Sequence, residues 1–371
     1  MKNSGKHLLF SFMQIIFIIL SLLCFTTRAE ANFNKKVSGF YVFGDSTVDP
    51  GNNNYIDTLF KSNFQPYGKD FTNHVPSGRF TNGKLATDFI ASYVGVKKEL
   101  LPAYLDPNVI DNVNELMTGV SFASAGSGFD PLTPSISSVI PIPKQLEYFR
   151  ECKKKLENVI GIEGTENHIK KAVFFMSAGT NDFALNYFTL PVRRNSFSLL
   201  GYQQFLIQRV KEFLQELLAE GAQKIVIAGV PPMGCLPFMI TMNSPNAFLQ
   251  RNCIERFSSA AKDYNQLLQQ ELNTMQFHLN SSNSPAKIYY IDIYQPLANM
   301  VQAHQKYGFE DINSGCCGSG YIEAALLCNK ECNVCSDPSK YMFWDSIHPT
   351  EKAYYNLFLA FKSTIDCIVN N

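Results

Sequence analysis

Short runs of β-branched and aromatic residues alternate with longer amphipathic segments along this 371-residue chain. Each short run has about five residues and is apolar throughout, which is typical of strands buried on both faces of a parallel sheet. The runs predict five strands, at Gly39 to Phe43, Gly119 to Phe122, Ala172 to Met176, Lys224 to Ala228 and Lys287 to Ile291.

The longer segments have the periodicity of helices. Between Ile254 and Met275, apolar residues recur at steps of three and four and form one stripe. The pattern predicts helices at Leu85 to Tyr93, Pro143 to Leu156, Tyr202 to Ala219, Ile254 to Met275 and Thr350 to Ile365. Because strands and helices alternate, we expect an α/β fold: a three-layer α/β/α sandwich with a central parallel sheet of about five strands.

Two long stretches lack this periodicity. Asp49 to Thr81 and Asn313 to Met342 are rich in Gly, Asn, Pro and Cys, and we interpret them as long ordered loops. The composition does not shift sharply after residue 32, which favours a single domain over residues 32–371.

The first 31 residues have the pattern of a secretory signal peptide. Lys2 and Lys6 precede an apolar run from Leu8 to Phe25, and Ala29-Glu30-Ala31 provides a small-x-small cleavage site. The alternative is an uncleaved membrane anchor, which the polar residues inside the run disfavour. We expect an exported mature chain with no membrane segment.

Charge excludes some partners. The chain has 32 basic and 32 acidic residues, so bulk electrostatics offers no basic surface for nucleic acid. Hydrophobic residues make up 46%, which excludes intrinsic disorder. The sequence leaves the oligomeric state open.

Ten cysteines favour an oxidising compartment. Cys235 and Cys253 can close one short loop, while Cys152 and Cys367 are candidates to stay outside bridges. A zinc site is the alternative for the cysteine cluster, but it contains only one CxxC spacing. The connectivity stays open. The cluster comprises Cys316, Cys317, Cys328, Cys332 and Cys335.

Asn280-Ser281-Ser282 is a glycosylation acceptor sequence. It lies in a polar stretch, and we therefore expect Asn280 in a surface loop.

Several small or polar motifs directly follow predicted strands, where ligands of open parallel sheets bind. Phe43-Gly44-Asp45-Ser46 offers a hydroxyl, Ala123 to Gly128 a loop of small residues, and Gly179 to Asp182 the amide of Asn181. Near the C-terminus, Asp345 and His348 stand three residues apart. Together they supply what acyl transfer needs: a nucleophile, a base, a group that orients the base, and donors for an oxyanion.

Five blocks in this order carry a resemblance that covers nearly the whole mature chain. They resemble the GDSL-type, or SGNH, serine esterase/lipase family, in particular its secreted plant branch. The blocks are Phe43 to Asp49 with Gly51 to Asn54, Ser77 to Lys84, Gly119 to Gly126, Gly179 to Asp182, and Asp345 to Thr350; Cys316-Cys317-Gly318 and Leu327-Cys328-Asn329 also look like this branch.

The resemblance implies a flavodoxin-like SGNH fold and hydrolysis of carboxylic esters without metal or other cofactor. It implies Ser46 as nucleophile, His348 as general base and acid, and Asp345 as the carboxylate that orients His348. The N–H groups of Ser46 and Gly126 and the side-chain amide of Asn181 would form the oxyanion hole. It also implies an extracellular location, in the cell wall or apoplast, and ester substrates such as acyl lipid, cuticle-type or cell-wall esters.

Two residues depart from the family pattern. Thr47 replaces the Leu of the family name, a harmless change if this position contributes mainly its backbone. Ser121 replaces an Asn usual in the block from Gly119 to Gly126, which puts in doubt a hydrogen bond that ties this loop to its neighbours.

Structural roles are expected for several residues near the blocks. Asp45 and Asp182 are expected to hold turns, Arg79 to form a loop-fixing ion pair, and Trp344 with Phe343 to be packing anchors. The remaining histidines of the mature chain, His74, His168, His278 and His304, are expected at the surface.

Three other functions fit parts of the sequence. An acyltransferase would use the same triad with an alcohol as acceptor, and a catalytically silent binding protein would keep only the scaffold. Gly179 to Asp182 also partly resembles a motif of metallophosphoesterases, but the other metal ligands of that class are missing from the sequence.

Overall fold

The computed structural model describes residues 37–370, so the expected signal peptide of residues 1–31 lies outside the described residues. The strands are β1 (Phe40–Gly44), β2 (Val173–Ser177), β3 (Lys224–Ala228), β4 (Lys287–Ile291), β5 (Asp311–Gly315) and β6 (Tyr341–Phe343). The helices are α1 (Ala86–Tyr93), α2 (Val113–Thr118), α3 (Leu132–Ser137), α4 (Ile142–Lys171), α5 (Leu199–Ala219), α6 (Pro237–Asn243), α7 (Glu255–Ser281), α8 (Tyr294–Gln302) and α9 (Glu351–Asn370).

The central sheet of the described chain is parallel, with the order β1-β2-β3-β4. Its register places Gly44 opposite Ser177 and Val173 opposite Lys224. All residues of β1 and β2 are buried, as their continuous apolar runs predict. The four predicted strands at these positions are confirmed, with bounds shifted by one residue at most.

The prediction of a fifth strand at Gly119 to Phe122 is wrong. This stretch lies beside β1 and exchanges hydrogen bonds with Val42, which donates to the Val120 carbonyl at 3.0 Å and accepts from Phe122 N–H at 2.7 Å. It forms only isolated parallel bridges, because on the β1 side the Gly44 N–H donates to Gln145 instead, and on the outer side Pro102 has no N–H to donate.

Helices cover both faces of the sheet. On one face, the rings of Tyr41 and Phe43 pack against Phe149 of α4, with centroids 5.6 and 6.0 Å apart. On the other face, the rings of Phe40 and Phe175 lie 6.1 Å apart and line a small void together with residues of helices α1 and α9. Side chains alternate along each strand, so Tyr41 and Phe43 point to one face of the sheet and Phe40 to the other. The predicted three-layer α/β/α sandwich is confirmed.

Three helices run further than their patterns predict, and one of them is α9, which ends at Asn370 and not at Ile365. Helix α4 continues past the predicted end at Leu156 to Lys171, with a non-helical backbone at Gly161. Its second half carries exposed apolar residues, so the amphipathic signal is lost there. Helix α7 extends to Ser281, so exposed Asn280 lies in its last turn and not in a loop as predicted.

The predicted long loop from Asn313 to Met342 contains unpredicted regular structure. Strands β5 and β6 pair in parallel as a small second sheet within the described chain. Both strands are short and partly polar, so neither has a strand pattern in the sequence.

Within residues 37–370, disulfides join Cys235 to Cys253, Cys316 to Cys335 and Cys317 to Cys328. Four members of the cluster are therefore bridged, and no group of ligands suited to a metal ion occurs among the described residues. Cys152, Cys332 and Cys367 take no part in these bridges.

The same part of the chain contains no helix that is both long and apolar enough to cross a bilayer.

The expectation of surface histidines is wrong for His168. Its ring is buried and its Nε2 lies 3.1 Å from the Tyr41 hydroxyl. It belongs to the second half of α4, whose burial the sequence pattern misses.

Candidate active site

The end of strand β1 turns sharply and presents Ser46. Gly44 has a φ of 141°, and a Cβ there would lie 1.9 Å from the carbonyl oxygen of Ser177. The side chain of Gln145 on α4 donates to the Gly44 carbonyl and accepts from its N–H, both at 2.9 Å. The turn that carries Ser46 is therefore fixed from the neighbouring strand and from a helix.

Asp45 holds this turn, as expected. Its Oδ1 accepts hydrogen bonds from the Thr47 N–H at 3.0 Å and the Thr47 hydroxyl at 2.8 Å. Burial raises the pKa of Asp45, although these hydrogen bonds oppose the increase. The Thr47 hydroxyl also lies 3.1 Å from Ser177 Oγ, so Thr47 contributes its side chain and not only its backbone.

Ser46, His348 and Asp345 form one chain of hydrogen bonds. Ser46 Oγ lies 2.8 Å from His348 Nε2, and His348 Nδ1 lies 2.8 and 2.9 Å from the two carboxylate oxygens of Asp345. The fold brings the serine to a histidine 302 residues away in sequence. Ser46 retains 7% of its accessible surface, His348 4% and Asp345 none.

Asp345 and His348 belong to one tight turn. The backbone N–H groups of Ile347 and His348 both donate to Asp345 Oδ1, at 2.9 and 2.8 Å. The carbonyl of His348 accepts from Trp344 N–H at 2.7 Å. Trp344 and Phe343 are both buried, as expected of packing anchors, and Phe343 also lines the cavity that opens at Ser46.

Two aromatic residues that sequence reasoning missed contact this turn. The Tyr67 hydroxyl donates to Asp345 Oδ2 at 2.8 Å, and the ring of Phe80 lies 4.9 Å from the ring of His348. Phe80 lies within the second resembling block, but Tyr67 lies in a predicted loop where no periodicity or spacing marks it.

Gln145, which was also missed, did leave a signal. It is a polar residue beside the apolar stripe of a predicted helix, and in the structure it is fully buried. A buried polar side chain must find partners, so its position indicates a contact with backbone groups.

The residues expected to form the oxyanion hole come from the end of β1 (Ser46), the end of β2 (Asn181) and the loop after the Gly119 to Phe122 stretch (Gly126). Gly126 has a φ of 85°, in the region that favours glycine. The Asn181 amide donates to the carbonyl of Ser127 at 2.9 Å, which joins it to the loop of Gly126. In the described part of the chain, the N–H groups of Ser46 and Gly126 donate to no other protein atom. Ser46 and Asn181 line one cavity, whereas Gly126 is outside its lining.

Asp182 fixes the loop that follows Gly126. Its carboxylate accepts from the N–H groups of Phe129 and Asp130, at 2.9 and 3.1 Å, and from the hydroxyl of Thr133. Burial raises the pKa of Asp182 to about 7, although these donors oppose the increase. Asp182 therefore has the loop-holding role expected from the sequence.

Although Ser121 replaces the Asn of the family pattern, its loop is still hydrogen-bonded to neighbouring segments. The Ser121 hydroxyl donates to the Val48 carbonyl at 2.9 Å, and the Asn52 side chain donates to the carbonyls of Ser121 and Ala123, both at 2.8 Å.

Arg79 forms the expected ion pair. Its guanidinium donates twice to the carboxylate of Asp88, at 2.9 and 2.8 Å, and both side chains are buried. Its Nη2 also donates to the Leu101 carbonyl at 2.7 Å. The Arg79 guanidinium is therefore engaged in hydrogen bonds within the protein.

An apolar cavity of about 80 Å³ opens at Ser46. Its lining at this end includes Ser46, Thr180 and Asn181. The rest is largely apolar and comes from the strand ends, α8, β6 and α9, including Phe175, Ala228, Leu297, Met342, Leu357 and Phe361.

Comparison with known proteins agrees with this geometry. The chain is 56% identical over 344 residues to GDSL esterase/lipase At5g45960 of Arabidopsis thaliana, a match that covers 93% of this chain and 90% of that protein. It is 42% identical to GDSL esterase/lipase At1g06990 (93% and 96% covered) and 44% identical to GDSL esterase/lipase At2g40250 (95% of each), both from the same plant. The family described as GDSL-like Lipase/Acylhydrolase matches residues 40–361. The chain therefore belongs to the GDSL-like lipase/acylhydrolase family and, with it, to the carboxylic ester hydrolases.

Proposed function

We propose that this protein is an exported serine esterase that hydrolyses carboxylic esters through an acyl-enzyme on Ser46. The observation that carries the proposal is the unbroken path of hydrogen bonds from Ser46 Oγ through the His348 ring to Asp345. Such an arrangement activates a hydroxyl that is unreactive by itself.

In the first half of the reaction, Ser46 Oγ attacks the ester carbonyl carbon while His348 Nε2 takes the hydroxyl proton. The tetrahedral intermediate collapses, the alcohol leaves with the proton from His348, and the acyl group stays on Ser46. Water then attacks the acyl-enzyme with His348 as base, and the carboxylic acid leaves as Ser46 regains its proton.

Three donors would stabilise the oxyanion of each tetrahedral intermediate: the N–H groups of Ser46 and Gly126 and the side-chain amide of Asn181. The two backbone groups have no acceptor among the described residues. The Asn181 amide uses one hydrogen for Ser127 and keeps the other for a ligand.

Among the ester classes considered, the cavity beside Ser46 favours esters of aliphatic acids over acetylated cell-wall polysaccharides. Its largely apolar walls give an aliphatic chain a favourable environment, which an acetyl group is too short to use.

Export to the cell wall or apoplast is supported by the three disulfides, which persist in oxidising compartments. The exposed Asn280 is accessible to a glycosyltransferase. Expression of the full chain in plant cells is expected to place protein in the medium that begins after residue 31. An Asn280→Gln variant that migrates identically to wild type before and after glycosidase treatment would contradict glycosylation there.

The test of the chemistry uses the purified protein and p-nitrophenyl esters. Ser46→Ala is expected to abolish hydrolysis, and a serine-directed phosphonate is expected to add its mass to a peptide containing Ser46. The matched control is Ser62→Ala, because Ser62 is also buried and its hydroxyl has no partner among the described residues. Equal activity of Ser46→Ala and wild type would overturn the proposal.

A further inference from the structure

The cavity at Ser46 extends along helix α9, away from the strand ends. Tyr354, Leu357 and Phe361 of α9 all line it. From Tyr354 to Phe361 the helix advances seven residues, about 10 Å. Helix α9 begins three residues after His348, which contacts Ser46. Along this helix, Tyr354, Leu357 and Phe361 therefore lie progressively further from Ser46.

The walls beyond Ser46 are suited to a hydrocarbon. Of all the lining residues, only Asp45 carries a charge, and its carboxylate is bonded to Thr47. Phe175, Leu297, Met342 and Leu357 supply apolar side chains that are buried in the core. An aliphatic chain in this space loses contact with water, but it also lies beside the buried Tyr354 hydroxyl, which has no hydrogen-bond partner among the described residues.

The volume limits the length of such a chain. One water molecule needs about 10–15 Å³ of the same kind of space, so about 80 Å³ accommodates several groups of methylene size. Together with the depth of about 10 Å, this space suits an acyl chain of roughly four to eight carbons.

A second, smaller void of about 20 Å³ lies further along the same layer. It is lined by Phe175, which also lines the larger cavity, and by Val173, Ile365 and Ile368. On α9, Phe361 lines the larger cavity and Ile365, one turn later, lines the smaller void. Phe175 and Phe361 therefore stand at the partition between the two spaces.

We infer that the cavity behind Ser46 binds the acyl chain of the substrate ester, and that Phe175 and Phe361 close its far end and set the longest chain it accepts. This inference rests on the proposed function, because it assumes that Ser46 is the residue that is acylated. It assigns the substrate as an ester of a short to medium aliphatic acid.

The main test is the chain-length profile of kcat/KM for p-nitrophenyl esters from C2 to C16. Wild type is expected to prefer roughly C4 to C8 over C2 and over C16. Phe361→Ala joins the two voids and is expected to raise kcat/KM for C12 relative to C4 by about tenfold. The matched control is Ile365→Ala, which removes a buried side chain from the same helix but enlarges only the smaller void, and its chain-length profile is expected to follow that of wild type.

Filling the cavity gives the opposite result. Leu357→Trp is expected to lower kcat/KM for C8 at least tenfold while hydrolysis of the C2 ester continues. If Phe361→Ala does not fold, Phe361→Leu tests the same partition with a smaller change. A wild-type profile that falls steadily from C2, or equal profiles for Phe361→Ala and Ile365→Ala, would overturn the inference and leave the proposed function intact.

A binding measurement separates the two proposals. In the Ser46→Ala variant, octanoate is expected to raise the thermal midpoint more than acetate does, and Leu357→Trp is expected to remove the difference. If wild type hydrolyses no ester, the proposed function fails, yet preferential binding of octanoate still supports an acyl site. Equal effects of octanoate and acetate count against the site whatever the activity.

Discussion

The hydroxyl of Tyr67 donates a 2.8 Å hydrogen bond to Asp345 Oδ2 and accepts a 2.9 Å hydrogen bond from the backbone N–H of Ala325. The other carboxylate oxygen of Asp345 accepts from the N–H groups of Ile347 and His348. Both carboxylate oxygens are therefore held in place by groups other than the His348 ring. From this arrangement we expect Tyr67 to be a positioning residue, because it contacts Asp345 and not the proposed nucleophile.

Tyr67→Phe is expected to lower kcat about tenfold with little change in KM, because one hydrogen bond to a charged group is lost while the ring stays in place. Burial raises the pKa of the Tyr67 hydroxyl well above its ordinary value, and the Asp345 carboxylate raises it further. The hydroxyl therefore stays protonated over the working range, and the loss of kcat is expected to be uniform from pH 6 to pH 9. The measurement is the pH profile of kcat for both proteins.

The matched control for this substitution is Tyr264→Phe. Tyr264 is equally buried, and its hydroxyl has no hydrogen-bond partner among the described residues. It is expected to keep the wild-type kcat. If both variants lose kcat equally, Tyr67 acts through general packing and not through Asp345.

The disulfide between Cys317 and Cys328 encloses Ala325, the residue that donates to Tyr67. Replacing both cysteines by serine is expected to lower the free energy of unfolding by about 3 kcal/mol, since a loop with a separation of 11 residues is released in the unfolded chain. It is also expected to lower kcat, because Ala325 is no longer held against Tyr67. Urea unfolding and kcat measured on folded protein test the two effects.

A double-mutant cycle connects this disulfide to Tyr67. In the Tyr67→Phe background, opening the disulfide is expected to cause little additional loss of kcat, because the two changes break the same path. Cys332→Ser is the control, since Cys332 lies in the same loop region but outside the bridges. Fully multiplicative losses of kcat would show that the disulfide and Tyr67 act separately.

Asn181→Ala is expected to lower kcat roughly 100-fold, because it would remove one of the three donors that we propose for the oxyanion. KM for a short p-nitrophenyl ester is expected to change little, since this donor acts mainly in the transition state. The substitution also removes a hydrogen bond to Ser127, so thermal unfolding must accompany the kinetics. An unchanged kcat in a folded variant would exclude Asn181 from the oxyanion hole.

Asp182 gives a prediction for stability against pH. Burial raises its pKa to about 7, whereas an aspartate in an unfolded chain titrates near 3.9. The folded protein therefore binds a proton that the unfolded chain has lost, and the resulting stability is present below about pH 4 and disappears as the pH rises through about 7. We expect Asp182→Asn to be less stable than wild type, with a difference in unfolding free energy that is larger at pH 5 than at pH 8. A difference that is the same at both pH values, measured by urea unfolding, would contradict the raised pKa.

The sequence by itself determined the fold class and four of the strands. These segments are apolar throughout because both faces of the sheet are covered. This local signal does not depend on the order of the strands in the sheet. It also determined that Ser46 and Asn181 follow strands, which places them at the same edge of a parallel sheet. Segments in which the apolar strand pattern and the actual strand pairing do not coincide were missed or misplaced. The stretch from Gly119 to Phe122 has a strand pattern but forms only isolated bridges, and β5 and β6 pair with each other but have no strand pattern.

Only the tertiary structure decided how the site is supported. Tyr67 and Asp345 are 278 residues apart in sequence, and no periodicity relates them. The cysteine connectivity and the shape of the cavity behind Ser46 likewise depend on which side chains from distant elements pack together. Sequence patterns report how each segment meets the core or the solvent, whereas these contacts arise between segments and exist only once the layers have packed.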